Sequence, residues 1–252
     1  MNPDASATLG IIGGADGPTA ILISNGSMVP QLLSVAAAIA IGYLLGSLMF
    51  GIIVSKALFH DDVRTHGSGN AGSTNILRTY GKGAAALALA GDMGKGVLAV
   101  FLARWAACLI FGLPMTYAGI AFGPEGFNVG AAAAFAALIG HMKPLYFGFK
   151  GGKGVAVAAG TILAAAPRVF LGLLVVFVVV VGISRIVSLT SITCAVCYPI
   201  FTLIDCLMAG SSHTLFNTLC ALVMAVIVIW LHRANIQRLK NGTEYKFGSK
   251  KK

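Results

Sequence analysis

The stretch VFLGLLVVFVVVVGI, residues 169–183, contains no charged and no polar side chain. Similar apolar runs recur along the 252-residue chain, in which 57% of the residues are hydrophobic and only 10% are charged. A soluble globular domain carries about 25% charged residues. So few charges cannot cover a surface that faces water, which excludes a soluble enzyme and a disordered protein. The composition predicts a polytopic helical membrane protein.

Seven apolar segments are candidates for membrane spans, each of which needs about 20 apolar residues. Four are long enough and three are shorter. A proline and a charge at Pro167-Arg168 separate two short segments, which predicts a hairpin of two spans instead of one long helix. The predicted spans are residues 30–55, 83–103, 127–142, 154–166, 169–183, 188–209 and 213–231.

The basic residues predict the orientation. The chain has 18 Lys and Arg against 8 Asp and Glu, a net charge of +10, and its first 29 residues contain no Lys or Arg. With seven spans, the strongly basic segments fall on one side, which the positive-inside rule assigns to the cytoplasm. The sequence therefore predicts an all-α polytopic membrane bundle of seven helices, with the N-terminus outside and the C-terminus cytoplasmic. The basic residues are spread in small groups, which argues against a nucleic-acid partner.

The chain divides into an N-terminal extension (residues 1–29), a membrane domain (residues 30–244) and a basic C-terminal tail (residues 245–252). The extension lacks the basic start of a signal peptide, which favours an external tail or an interfacial segment. Within it, GIIGGADGPTAI, residues 10–21, resembles a short segment of the membrane subunits of sodium-pumping decarboxylases. Nothing else in the chain supports such a pump.

The segment GSGNAGSTNILR, residues 67–78, combines glycines with donor side chains. Gly67, Gly69 and Gly72 let backbone amides approach an anion closely, and Arg78 adds a planar fork of donors that suits phosphate. The remaining donors are Ser68, Asn70, Ser73, Thr74 and Asn75. A plain turn that leads into a helix cap is the alternative interpretation.

Two charges lie inside the predicted span 83–103. Asp92 and Lys95 are three residues apart, so they share one helix face. Ionisable groups inside a membrane are costly and usually functional. The alternative is a mutual ion pair that stabilises the bundle.

The segment GHMKPLYFGFKGGKGVAVA, residues 140–158, places Lys153 in a flexible loop between Gly151-Gly152 and Gly154. A nucleotide-binding P-loop needs Ser or Thr after its lysine, so the pattern does not support nucleotide hydrolysis. His141 at the membrane edge is either a base or a structural histidine.

The segment HRANIQRLKNGTE, residues 232–244, follows the last span and puts His232 and Asn235 on one helix face. The alternative is a basic tail that lies on anionic lipid. Together the polar segments predict an intracellular anion site, for phosphate, beside the bilayer. Its proposed members are Ser68, Arg78, Lys153, His232 and Asn235.

The sequence has no GxSxG nucleophile elbow, no HxxxxD acyltransferase box and no metal-ligand cluster. Cys194 and Cys197 form a CxxC without a second pair or a histidine cluster, so buried apolar cysteines are the favoured interpretation. Chemistry without a covalent enzyme intermediate is therefore favoured.

Four motifs carry a resemblance to a known family. GSGNAGSTN at 67–75, GD..KG at 91–96, GH....YFGFKGGKGVA at 140–156 and HR.NI.RL..G.E at 232–244 resemble the bacterial membrane glycerol-3-phosphate acyltransferases of the PlsY type. The resemblance covers about residues 40–244. Ser73 replaces the usual Ala of the family, the loop 104–126 is long, and the N-terminal extension has no counterpart.

The resemblance implies a seven-helix enzyme of the bacterial plasma membrane, with its motifs at the cytoplasmic side. Such an enzyme moves a fatty acyl group from acyl phosphate to the 1-hydroxyl of glycerol 3-phosphate, giving lysophosphatidic acid and phosphate, the first step of phospholipid synthesis. The resemblance implies no cofactor, no metal and no obligate protein partner. Membrane lipid would surround the protein.

By the resemblance, the five residues named above for the anion site hold the phosphate of glycerol 3-phosphate. The predicted substrate-binding set adds the motif residues Gly67, Gly69, Asn70, Gly72, Thr74, Asn75, Asp92, Lys95, His141, Gly151, Gly152 and Gly154. A transporter of a phosphorylated or anionic metabolite is the alternative function, because short spans and intramembrane charges suit it too. However, no inverted repeat is visible, and the polar motifs cluster on one face.

Overall fold

A computed structural model of the chain describes residues 8–14, 17–24, 28–111, 121–122, 127–211 and 214–246. In these ranges it has ten α-helices and two short β-hairpins. The helices are α1 (Met28–Gly46), α2 (Phe50–Phe59), α3 (Ser73–Tyr80), α4 (Lys82–Phe111), α5 (Val129–Met142), α6 (Val155–Ala165), α7 (Pro167–Ser184), α8 (Val187–Met208), α9 (Thr214–Leu231) and α10 (Arg233–Lys240).

The all-helical prediction is confirmed for the described chain, apart from two short β-hairpins. Five stretches of the described chain are long and apolar enough to cross a membrane: Leu32–Phe59, Lys82–Leu109, Pro167–Ser184, Val187–Met208 and Thr214–Leu231. The helices α5 and α6 are apolar but only 14 and 11 residues long. The count of seven spans and the orientation of the bundle stay predictions.

The short hairpins are the exceptions to the helical fold. Strand β1 (Thr8–Gly14) pairs antiparallel with β2 (Gly17–Ser24), so that Ile11 lies opposite Ile21. Both strands fall inside the predicted N-terminal extension. Strands β3 (Ala121–Phe122) and β4 (Phe127–Asn128) form the second pair, immediately before α5.

The predicted span 30–55 is not one helix. The chain leaves helical geometry after Gly46 and re-enters it at Phe50, with Met49 extended at φ −94° and ψ 91°. No proline lies at this break. Its cause is in α4, whose charged side chains bind the backbone groups that the break sets free.

Arg104 was predicted in an external loop, and this prediction is wrong. Helix α4 continues to Phe111, and Arg104 is only 2% exposed. The apolar sequence on both sides of this residue continues the helix through a single cation. The Nη1 of Arg104 donates to the Ala164 carbonyl at 3.0 Å, where the last turn of α6 has no helical donor to offer.

The helix break predicted at Pro167 is confirmed, and the spanning of the membrane by both helices stays a prediction. Helix α6 ends at Ala165, and Pro167 occupies the first turn of α7, where its missing N–H costs nothing and its ring favours helical φ.

Small residues let the central helices pack at close range. A Cβ on Gly160 of α6 would collide with the Met93 carbonyl of α4, so only glycine fits this crossing. Close backbone approach is the usual basis of helix association in membranes, where lipid offers no hydrophobic gain. This packing brings the ends of α2, α5 and α9 to the same end of the bundle as the starts of α3, α6 and α10.

Replacement of Gly160 by alanine should therefore lower the free energy of unfolding by about 1–3 kcal/mol, because the rigid Met93 carbonyl blocks the new methyl group. Gly94→Ala is the matched control, since a Cβ there meets no atom within 4 Å. The control should be neutral or stabilising by up to ~1 kcal/mol. Thermal unfolding in detergent micelles measures both, and equal melting temperatures would contradict the packing argument.

Candidate active site

The break between α1 and α2 is held by a buried ion pair. Lys95 Nζ lies 2.7 Å from Asp92 Oδ1, and both side chains are about 1% exposed. Lys95 also donates to the Leu48 carbonyl, and the Phe50 amide donates to Asp92 Oδ1 at 3.4 Å. The cation therefore meets the carbonyl end of α1, and the anion meets the amide end of α2. Each charge faces the helix end whose dipole favours it.

The third hydrogen bond of Lys95 assigns the tautomer of His141. Lys95 Nζ donates to His141 Nδ1 at 2.9 Å, so the hydrogen of the neutral ring lies on Nε2. That nitrogen is pressed against Gly152, where any Cβ would collide with it. His141 in this arrangement supports the loop and has no free lone pair to act as a base.

The glycine-lysine loop, residues 151–154, packs directly on His141. The Gly152 amide donates to the His141 carbonyl at 3.0 Å, and a Cβ on Gly151 would strike the same carbonyl. Gly154 then adopts φ +79°, which favours glycine, and caps the start of α6. The two glycines before Lys153 are therefore required by packing, and the loop has one fixed path.

The loop of residues 67–72 is organised by two asparagines. Asn75 Oδ1 accepts the Ser68 amide at 3.0 Å, and Asn75 Nδ2 donates to the Val63 and His66 carbonyls at 3.0 and 2.9 Å. Asn70 Oδ1 accepts the Gly72 amide at 2.9 Å. Both amide side chains are thus engaged with backbone and shape the loop, and their predicted contact with substrate stays a prediction.

The remaining residues of this loop have distinct places. Gly67 and Gly69 have φ of +58° and +69°, and Gly72 caps the start of α3. Ser73 and Thr74 form the first turn of α3, and both are half-buried. The Ser68 hydroxyl is exposed, and it has no hydrogen bond within the described chain.

An arginine outside the predicted site joins the two loops. Arg64 pairs with Asp62 at 2.7 Å and donates to the Phe147 and Lys150 carbonyls at 3.0 and 3.4 Å. The glycine-lysine loop and the loop of residues 67–72 are therefore neighbours. Local sequence gave no signal for this contact, which spans more than 80 positions.

Lys153, Asn235 and Glu244 form the polar centre of this end of the bundle. Asn235 Oδ1 accepts a hydrogen bond from Lys153 Nζ, and Asn235 Nδ2 donates to Glu244 Oε1 at 2.9 Å. Arg238 Nε donates to Glu244 Oε2 at 2.7 Å, and Arg78 Nη2 lies 3.9 Å from Glu244 Oε1. Burial lowers the pKa of the Lys153 ammonium to about 8, and the positive charge of Arg238 adds to the effect.

His232 lies beside this centre in the opposite tautomer to His141. Its Nδ1 is 2.7 Å from the Val228 carbonyl, which only accepts, so the hydrogen lies on Nδ1 and the lone pair on Nε2. Burial lowers the pKa of the His232 imidazole to about 4, so the ring stays neutral in the physiological range. Its Nε2 is an acceptor for a donor on a ligand.

Four of the five predicted anion-site residues therefore come together: Arg78, Lys153, His232 and Asn235. Ser68 lies on the adjoining loop without a hydrogen bond to them among the described residues. Asp92, Lys95 and His141 form a separate buried layer beneath the glycine-lysine loop. Sequence reasoning missed Glu244 and Tyr245, although Glu244 closes the fourth motif.

The fold and this site define an integral membrane protein with a cation-rich polar cluster where several helices end. The family described as Glycerol-3-phosphate acyltransferase matches residues 36–242, inside the predicted membrane domain. Similar relatives bear the same name. One from Clostridioides difficile is 43% identical over 211 residues, covering 84% of this chain and 94% of the relative. One from Neisseria meningitidis serogroup A is 41% identical over 214 residues, covering 85% and 98%.

A crystal structure of PlsY (YgiH), an integral membrane glycerol 3-phosphate acyltransferase in its glycerol 3-phosphate form, has the same fold with a TM-score of 0.69. It is 34% identical, and the match covers 85% of this chain and 96% of that one. The lysophosphatidic acid form matches with a TM-score of 0.67 at 33% identity, with the same coverage of both chains. This chain belongs to the glycerol-3-phosphate acyltransferase family and is a membrane acyltransferase of the PlsY type. Membership of an enzyme family argues against the transporter alternative.

Removal of one partner of the buried ion pair should unfold the site. Lys95→Met leaves the Asp92 carboxylate buried without a cation and should lower the free energy of unfolding by about 3–5 kcal/mol. The double variant Asp92→Asn with Lys95→Met should recover part of that loss. Thermal unfolding in detergent provides the measurement.

The exposed pair Arg168–Asp205, at 3.5 Å with Arg168 76% exposed, supplies the control. Arg168→Met should change the free energy of unfolding by no more than ~1 kcal/mol. A Lys95→Met protein as stable as Arg168→Met would show that the buried pair does not hold the helix break.

Proposed function

We propose that this chain transfers a fatty acyl group from acyl phosphate to the 1-hydroxyl of glycerol 3-phosphate, without a covalent acyl-enzyme. The products are lysophosphatidic acid and inorganic phosphate, so the reaction starts phospholipid synthesis. The site lies at the cytoplasmic face of the bacterial plasma membrane, because the basic loops gather at the end of the bundle where the site is built.

One observation carries the proposal: two cations, a neutral histidine and an amide meet in one half-buried cluster. Arg78 and Lys153 suit a phosphate dianion, which needs donors with positive charge. The related structures are named for a glycerol 3-phosphate form and a lysophosphatidic acid form, which are the acceptor and the product of the proposed reaction.

The roles follow from the contacts of each side chain. Lys153 and Arg78 hold the phosphate of glycerol 3-phosphate. Asn235 fixes Lys153, because its Oδ1 accepts a hydrogen bond from the ammonium. His232 Nε2 accepts the hydrogen bond of the substrate hydroxyl and so orients its oxygen. Ser68, on the exposed neighbouring loop, adds a donor to the phosphate.

The chemical step needs alignment and charge neutralisation. The 1-hydroxyl oxygen of glycerol 3-phosphate forms a bond to the acyl carbonyl carbon, and the bond from that carbon to the phosphate oxygen breaks. The hydroxyl proton, which is hydrogen-bonded to His232 Nε2 before the reaction, ends on the leaving phosphate once the new bond has formed. Alignment of two bound reactants can supply about 7–11 kcal/mol of the barrier, and fixed cations stabilise the developing negative charge.

The described residues offer no activated nucleophile in support of an acyl-enzyme. The Ser68 hydroxyl has no hydrogen bond to a histidine in this part of the chain. Four of the five cysteines lie in α8 and α9, and the other in α4, within apolar helices. An acyl phosphate is already activated, so direct attack by the hydroxyl suffices.

The donor is tested with purified protein, labelled glycerol 3-phosphate and either acyl phosphate or acyl-CoA. Lysophosphatidic acid should form with acyl phosphate only. Lys153→Ala should cripple turnover because the phosphate loses its buried cation, whereas Cys194→Ala in α8 should retain activity. Product from acyl-CoA alone would overturn the donor assignment, and activity lost in Cys194→Ala would revive a thiol intermediate.

The pH dependence should report the charge of Lys153. Raising the pH through about 8 neutralises this ammonium, so kcat/KM for glycerol 3-phosphate should fall above that value. In Lys153→Arg the guanidinium stays charged, so the remaining activity should lose this fall. Initial rates, corrected for spontaneous hydrolysis of the donor, give the profile. A wild-type profile that is flat to pH 10, or an unchanged fall in Lys153→Arg, would contradict the assignment to Lys153.

A further inference from the structure

The Arg78 guanidinium is held by its face. Its central carbon lies 4.2 Å from the centre of the Tyr245 ring, within the range of a cation–π contact. Its Nη2 is 3.9 Å from Glu244 Oε1, which is too long for a hydrogen bond. Its Nε is buried without a hydrogen-bond partner in the described chain. Among the described residues, the donors along the edge of the guanidinium are therefore uncommitted, although its plane is fixed.

A fixed plane with a free edge suits phosphate recognition. A guanidinium presents two parallel N–H groups to two phosphate oxygens only when its plane is correctly aimed. Arginine has a long side chain with many rotamers, and ordering it on binding weakens affinity. A ring stacked on the guanidinium orders the arginine side chain before the ligand binds. The side chain is 21% exposed, so the stacked group still reaches a ligand.

Tyr245 reaches Arg78 because the chain before it is anchored. Helix α10 ends with the Gly242 and Thr243 amides bound to the Leu239 and Arg238 carbonyls at 3.1 and 2.9 Å, which turns the chain back over the site. Glu244 is then buried by its bonds to Asn235 and Arg238. The side chain of the next residue, Tyr245, therefore lies over the Arg78 guanidinium. Tyr245 lies beyond residues 36–242, the part of the chain that matches the family.

We propose that Tyr245 is a positioning residue for the phosphate of the acyl acceptor, because its ring fixes the plane of the Arg78 guanidinium and leaves the guanidinium edge free. This inference rests on the proposed function and names a residue beyond the matched family region that strengthens binding of the acyl acceptor. The ring face carries the effect, and the Tyr245 hydroxyl is dispensable. The same reasoning makes Arg78→Lys a non-conservative change, since an ammonium has no plane to stack.

The test compares Tyr245→Leu with Tyr245→Phe in steady-state assays with acyl phosphate and varied glycerol 3-phosphate. Leucine keeps much of the apolar volume but has no π-face, so KM for glycerol 3-phosphate should rise about 5- to 30-fold. The value of kcat at saturation should change much less, because a saturating acceptor orders the arginine itself. Phenylalanine keeps the face, and its KM should stay within about twofold of the wild-type value.

Binding of glycerol 3-phosphate, measured by calorimetry on the same proteins without donor, gives a second measurement that does not depend on turnover. The dissociation constant should rise in Tyr245→Leu by the same factor as KM. Tyr245→Leu with wild-type KM and affinity would overturn the proposal, and so would Tyr245→Phe that is as impaired as Tyr245→Leu. A loss confined to kcat would also overturn it, since positioning of the acceptor phosphate acts through binding.

Two controls separate this proposal from the proposed function. Wild-type protein that makes no lysophosphatidic acid from either donor contradicts the proposed function, whereas active wild-type protein with insensitive Tyr245 variants contradicts only the role of Tyr245. In an Arg78→Ala background, Tyr245→Leu should cause no further loss of affinity, because the group that the ring orders is gone. A full additional loss there would show that Tyr245 acts independently of Arg78.

Discussion

The architecture of the site depends on one pair of opposite charges that lies within the bundle. Inside a bilayer no water satisfies the backbone groups that a broken helix exposes. Lys95 and Asp92, one turn apart on α4, satisfy these groups instead of water. The cation lies at the carbonyl end of α1, and the anion lies at the amide end of α2. Because the break can form there, α2 is redirected towards the loop that leads to Arg78. A continuous helix through residues 30–55 would not lead the chain there.

The same lysine links the helix break to the chemistry. Its remaining hydrogen bond fixes His141, and His141 supports the loop that carries Lys153. Three motifs that are far apart in sequence thus share one buried scaffold. The two histidines, His141 and His232, have different tautomers and therefore different roles. His141 accepts on Nδ1 and packs against Gly152, whereas His232 donates from Nδ1 and keeps a lone pair for the substrate. A histidine in a polar motif therefore does not by itself identify a base.

Features that depend on local chemistry were predictable from the sequence, and features that depend on distant partners were not. Pro167 ends one helix and starts the next by its own geometry, so the break between the two helices was predicted correctly. The break after Gly46 has no local signal because its cause lies in α4. Arg104 was predicted in a loop because it is a lone cation at the end of an apolar segment. Its partner, the Ala164 carbonyl, is distant in sequence. Asn75 was predicted to bind substrate, and only the tertiary structure shows that its amide binds backbone. Glu244 stands alone among basic residues of the tail and resembles a surface carboxylate until Asn235 and Arg238 are brought to it.

The excess of positive charge in the site supports the proposed binding of an anion. Arg78, Lys153 and Arg238 surround a single described carboxylate, Glu244, which is buried. Loss of water and the nearby positive charge of Arg238 oppose the charged form of Lys153, and the lowered pKa of this ammonium expresses that cost. A phosphate dianion relieves both effects at once, so part of its binding energy comes from repulsion already present in the free protein. Both proposed substrates carry a phosphate, and neutral alcohols or lipids would leave the repulsion in place. Under the proposed function, the arrangement therefore favours phosphorylated ligands before any contact with the glycerol or the acyl chain is made.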